Sequence, residues 1–130
     1  MKRKRANIII DTGTVEEFFR DAYEEAEKLD RGELLKAEIR ITFEDPLEML
    51  QALSAQRMRV IKTVRKHHAT NPTVTSLAAM LRRDRKAVSR DVQVLESLGL
   101  LRTVTKRNPG HGTMKVVEPL AQRYHLTATI

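Results

Sequence analysis

Leu77-Ala78-Ala79-Met80-Leu81-Arg82-Arg83-Asp84-Arg85-Lys86-Ala87-Val88-Ser89-Arg90-Asp91-Val92, followed shortly by Leu95-Glu96-Ser97-Leu98-Gly99-Leu100-Leu101, is the stretch that decides the fold. Val74, Leu77, Ala78 and Leu81 recur at helical spacing and predict a short amphipathic helix from Thr75. Arg82-Arg83-Asp84 is then a tight connection. Asp84 suits the N-cap of a second helix, Arg85 to Ser97, whose Val88, Val92 and Leu95, with Leu98 just beyond, face a core. Gly99 stands where a helix C-terminus needs a left-handed residue.

Two short helices joined by a few residues, the second basic on its outer face, have helix-turn-helix spacing. The second helix would lie in a DNA major groove, about 12 Å wide, with its first residues at base edges. Arg85, Lys86, Ser89, Arg90 and Gln93 lie away from Val88, Val92 and Leu95. Arg and Lys pair with guanine O6 and N7, and Gln with adenine. Arg82 and Arg83 are candidates for phosphate contact, and Thr75 joins the set at the start of the first helix. Beyond Gly99, Leu100-Leu101-Arg102-Thr103-Val104 and Met114-Lys115-Val116-Val117 read as strands. They flank the basic turn Lys106-Arg107-Asn108-Pro109-Gly110-His111-Gly112. Such a wing would carry Lys106 and Arg107 to phosphates or into a minor groove, with His111 at the turn.

The residues from Leu77 to Leu101, and Val88 to Leu101 in particular, resemble the MarR/ArsR-like winged-helix superfamily of prokaryotic regulators. The likeness spans roughly residues 54–118. It implies that Arg85–Ser97 is a recognition helix and the hairpin a wing. The fuller layout is similar to small prokaryotic predicted transcriptional regulators, some of them antitoxin-like.

Outward from this motif, the charge divides. The net +7 combines residues 1–53, with 9 Lys and Arg against 13 Asp and Glu, and residues 54–118, with 14 against 4. The excess of ten cations in the second segment points to a polyanion, because each phosphate neutralised releases condensed counterions. No Phe, Trp or Tyr lies between 54 and 118, so the stacking platform usual for single-stranded RNA is missing.

Ile8-Ile9-Ile10 reads as a short strand. Thr14 and Glu17 form a capping box for a helix with Val15, Phe18, Phe19, Ala22, Tyr23, Ala26 and Leu29 on one stripe and an acidic outer face. Arg31-Gly32 ends it. Ala37, Ile39, Ile41 and Phe43 alternate with Lys36, Glu38, Arg40 and Thr42 as a half-buried strand. This strand-helix-strand leader is too small for a secure core, so its apolar faces need the next domain or a second copy of the chain. Pro46 opens a short helix through Leu53, and Ser54 caps another that carries Met58, Ile61 and Val64 inward. His67 to Pro72 is a loop in which no further helical turn is expected. Tyr124, Leu126, Thr127 and Ile130 form a β-like tail able to pair with the Ala37–Phe43 strand.

The expected fold is α+β: a winged helix-turn-helix domain over 46–118, preceded by a strand-helix-strand extension over 1–45 for dimerisation or partner docking, and followed by a tail over 119–130. The expected function is a dimeric, sequence-specific DNA-binding repressor that is cytoplasmic. The alternative is an antitoxin-type protein that holds a toxin or other partner through its N-terminal region and regulates its own operon.

Cysteine is absent, which excludes disulfides and thiolate sites. No apolar run approaches the roughly 18–20 residues of a membrane helix, and three isoleucines after Lys2-Arg3-Lys4-Arg5 are too short for a signal peptide. Those four cations are a solvated terminus or a DNA-binding arm. No phosphate-binding glycine loop, nucleophile elbow or metal-ligand cluster supports an enzyme, a cofactor or a metal site. His67 and His68, adjacent on a helix, point about 100° apart and do not chelate together.

Overall fold

The computed structural model describes residues 5–33 and 38–130. Lys36, Ala37 and the cations at 2–4 lie outside the described residues. The chain is α+β and forms two compact units: Met1–Gln51 with Ala121–Ile130, and Ala52–Leu120.

In the first unit, β1 (Arg5–Thr12) leads through α1 (Val15–Asp30) to β2 (Glu38–Phe43). β1 and β2 are parallel, which a helical crossover between them allows. The C-terminal strand β5 (Ala121–Leu126) also pairs with β1 in parallel, so the sheet order is β2-β1-β5. The tail therefore belongs beside the isoleucine strand and not beside β2. The reason is composition: a central parallel strand takes the continuous apolar run, and Ile8 and Ile10 are buried there opposite Ile39 and Tyr124, and Ile41 and Leu126. Thr12 fastens the end of the tail, its hydroxyl accepting from Thr129 N at 2.8 Å. In β2 only Arg40 is exposed, so the alternation expected there is softened to half-burial on both faces.

α1 begins as the capping box predicts. Thr14 Oγ1 accepts from Glu17 N, and the Glu17 carboxylate accepts from Thr14 N. It ends at Arg31, with Gly32 at φ 78°. Its acidic flank is tied to the sheet by Arg40, which bridges Asp21 at 3.2 Å and Asp11 at 3.4 Å. No residue of α1 is buried.

α2 (Pro46–Ala52) starts on its proline and buries Met49. The second unit then runs α3 (Ala55–His67), α4 (Val74–Leu81), α5 (Arg85–Ser97), β3 (Leu101–Arg107) and β4 (Thr113–Pro119). Ser54 caps α3, accepting from Arg57 N. α3 buries Val60, Ile61 and Val64, while Met58 is 41% exposed. The inward row is 57, 60, 61 and 64, not 58, 61 and 64, because the position one turn before Val60 and Ile61 is taken by Arg57, which reaches a buried acid. After His67 a single 3-10 turn, His68–Thr70, extends the helix where only loop was expected. It stops at Asn71, which is left-handed at φ 53°. The core of this unit joins Val60 and Val64 to Leu77, Val88, Leu95, Leu100, Leu101, Val116 and Val117, all under 2% exposed or nearly so.

Among the described residues no helix is long and apolar enough to cross a membrane.

Candidate functional site

α4 starts at Val74, one residue before the predicted start. Thr73 and Ser76 cap it reciprocally, side chain to backbone, at 3.2 and 2.8 Å. Its C-cap, Arg82, is left-handed at φ 53°, so the chain reverses in three residues without glycine. Asp84 then caps α5, its carboxylate accepting from Lys86 N at 3.1 Å and Ala87 N at 3.3 Å. The helix spans Arg85–Ser97 as predicted and is followed by Gly99 at φ 79°.

One face of α5 buries Val88, Asp91, Val92 and Leu95. The other carries Arg85, Lys86, Arg90 and Gln93, all exposed, with Ser89 half-buried between them. Asp91 is a buried carboxylate, and it resolves the fate of two cations. Arg83 Nη1 meets it at 2.7 Å and Arg57 Nε at 3.2 Å, one on each oxygen. Arg83 thus clamps the α4–α5 turn to α5, and its side chain, 19% exposed, is committed inside the unit. Arg82, one residue earlier, points out.

The β3–β4 hairpin is antiparallel, pairing Leu101 with Pro119 through Arg107 with Thr113. Its turn closes with Asn108 N donating to Gly112 O at 2.8 Å and His111 N to Asn108 O at 2.9 Å. Gly110 and Gly112 supply the left-handed residues. Glu118 plays on the hairpin the part that Asp91 plays on α5. It takes Arg102 at 2.8 Å and Lys106 at 3.1 Å. Burial pushes its carboxyl up, but the hydrogen bonds and charges of Arg102 and Lys106 outweigh this and hold it below the ordinary value of 4.5. Lys106 Nζ also donates to Asn71 Oδ1 at 2.9 Å, which with Val117 N to Pro72 O docks the hairpin on the loop before α4.

Two acids therefore absorb four cations. Among the described residues Arg82, Arg85, Lys86, Arg90, Arg107 and Lys115 form no ion pair. Four of them, Arg85, Lys86, Arg90 and Lys115, line two adjoining clefts. Arg85, Lys86 and Ser89 of α5, Thr73 to Thr75 at the start of α4, and Lys115 of β4 line one open cleft of about 600 Å³. Lys86, Ser89 and Arg90 line a second, shallower one of about 460 Å³. The predicted Thr75, Arg85, Lys86, Ser89 and Arg90 are thus brought together. Gln93 continues the same helix face, while Arg107 and His111 stand exposed on the hairpin. Lys115 was missed by sequence reasoning. The alternation of β4, with Val116 buried and Lys115 exposed, is the signal that would have found it.

No group of three or more potential metal ligands occurs among the described residues. No curated protein matches the sequence. Residues 52–117, half of the chain and nearly all of the second unit, match the HVO_A0114 family model, and the chain belongs to that family.

Proposed function

We propose that the chain is a sequence-specific DNA-binding transcriptional regulator of the MarR/ArsR-like kind, a dimeric repressor whose second unit is a winged helix-turn-helix. The observation that carries the reading is the sorting of charge. Asp91 and Glu118 hold four cations, and an uncompensated set remains on α3, α5, the turn before α5 and the hairpin, of which Arg85, Lys86, Arg90 and Lys115 converge on two adjoining clefts. A surface built only to stay in solution has no need to gather Arg85, Lys86, Arg90 and Lys115 around those two clefts. In this reading α5 enters the major groove with Arg85, Lys86, Ser89, Arg90 and Gln93 toward base edges. Thr75, Arg82, Lys115 and Arg107 take phosphates. Arg83 and Lys106 hold the frame and do not touch DNA.

The decisive experiment titrates the protein against DNA from upstream of its own gene and a scrambled duplex, at two salt concentrations. A preference for the upstream DNA that persists at higher salt supports the reading. Equal and steeply salt-dependent binding to both duplexes leaves a merely basic surface. A second reading, an antitoxin-type protein that captures a partner through its N-terminal unit, is favoured by one feature, the exposed stripe of α1.

A further inference from the structure

α1 is amphipathic in sequence and unpartnered in the structure. Val15 is 46% exposed, Phe18 42%, Phe19 65%, Tyr23 67% and Leu29 57%. At 100° per residue these five, with Ala22 and Ala26, fill an arc of about 140°, the width of a core-facing stripe. Acidic side chains line its flanks.

We infer that this stripe is covered by the α1 of a second copy of the chain, in an antiparallel pair about a two-fold axis. The inference deepens the dimeric part of the function proposed above and rests on that part alone. Three observations favour a second copy. The first is area. With roughly 200 Å² for an aromatic side chain, the exposed fractions offer about 500 Å² per copy, or about 1,000 Å² for a pair, near the lower limit of a stable interface. The second is shape. Full overlap of two helices spanning Val15–Asp30 puts the axis between Ala22 and Tyr23. That register sets Tyr23 against the partner copy's small residue at 22, and Phe19 against its small residue at 26. Large side chains meet small ones along the seam, as an isologous interface requires. The third is the shallow groove of about 270 Å³ at the start of α1, lined by Val15, Phe18 and Phe19 with Gly13 and Thr42. The same register delivers the far end of the partner helix, at its leucine 29, to this groove.

The charges set a further condition. Glu16, Glu27 and Asp30 share one flank, and the two-fold brings that flank against itself. Added salt should then hold or tighten the dimer by screening repulsion.

The test is sedimentation equilibrium of the full chain without DNA, for wild type, Phe19→Glu and Tyr23→Glu. Both side chains are exposed in the single chain, so the variants should keep the wild-type circular dichroism and, at concentrations where the chain is monomeric, the wild-type urea midpoint. Each should weaken dimerisation roughly thirtyfold or more, the effect of losing an interface hot spot. The chain has no cysteine. Oxidised Ala22→Cys, near the axis, should therefore cross-link cleanly, and Glu24→Cys, on the opposite face, should not. A monomeric wild type, a dimer that survives both glutamates, or a dimer that dissociates as salt rises would each overturn the inference, the last by showing that the acidic helix meets a basic surface. A single half-site duplex separates this from the DNA reading. Half-site binding with no dimer sinks the pairing alone, and a dimer that binds no duplex sinks the DNA reading alone.

Discussion

The two units use the same raw materials in opposite ways. The unit of residues 52–120 consumes its apolar pattern internally and leaves cations over. The N-terminal unit pairs only some of its charges, Arg40 between Asp11 and Asp21 and Arg31 with Glu33, and leaves over aromatic rings flanked by acids. On the function proposed above, what each unit leaves uncompensated is what it is built to meet. The first remainder suits a polyanion, the second an apolar face. The contrast also predicts how unevenly stability is spread.

The largest effect should come from matched leucine truncations. Leu95 is fully buried on α5 and Leu29 is 57% exposed on α1. Leu95→Ala should cost about 2–5 kcal/mol in urea unfolding, by lost transfer energy and the cavity left behind. Leu29→Ala should stay within about 0.5 kcal/mol when measured at concentrations where the chain is monomeric. Equal losses would mean that α1 is covered within the single chain, and the comparison would fail.

Next comes the acid that sorts the cations. Asp91→Ala takes the carboxylate from Arg57 and Arg83, which are partly buried at 24% and 19% side-chain exposure, and leaves Arg57 its bond to Ala52 O. Removing one partner of such a cluster should destabilise by about 2–4 kcal/mol, somewhat less than for full burial. It should also loosen the α4–α5 turn, which amide exchange at Arg82 to Asp84 would register. A loss well under that range would make the cluster ornamental.

On the DNA side, Arg90→Ala should lower specific affinity by about 1–3 kcal/mol if it reaches a base edge. Lys115→Ala should weaken all duplexes alike and reduce the salt slope by about one. Lys106→Ala should do less to the slope than Lys115→Ala, because Glu118 and Asn71 already hold Lys106. If Lys106→Ala flattens the slope more, the hairpin releases that lysine on binding.

This last point marks where the sequence was legible and where it was not. Features set by a few neighbouring residues could be read: the Thr14–Glu17 capping box, the Asp84 cap, the span of α5 and the left-handed Gly99. So could the face of α5, since helical spacing alone separates Arg90 from Val88 and Val92. Features set by distant partners could not. Nothing near Arg83 says that Asp91 will take it and leave Arg82 free. Arg57 lies 34 residues from Asp91, and Lys106 lies 35 from Asn71. The exposed position of Met58 follows from the first of these pairs, because Arg57 holds the inward row. The pairing of β5 with β1 joins residues more than a hundred apart and depends on which strand is most apolar, a comparison among strands and not a local pattern.

The smallest effect is a pH dependence, and its sign follows from Glu118. Its carboxyl titrates below the ordinary 4.5 in the folded chain, because Arg102 and Lys106 favour the charged form by more than burial disfavours it. Between the two values the unfolded chain holds the proton more often than the folded one, so stability rises with pH there. The contribution is complete above the unfolded value and is lost as pH falls through the folded one. Urea midpoints of wild type and Glu118→Gln should therefore differ at neutral pH and converge in acid, where the protonated carboxyl resembles the amide. The convergence belongs to the hairpin's hold on Arg102 and Lys106. If it breaks that hold, the freed Lys106 joins the uncompensated cations, and Glu118→Gln should steepen the salt slope of DNA binding at neutral pH. A gap between the two proteins that does not change with pH would show that Glu118 contributes by packing alone, and that the hairpin's cations need no acid to keep them from the uncompensated set.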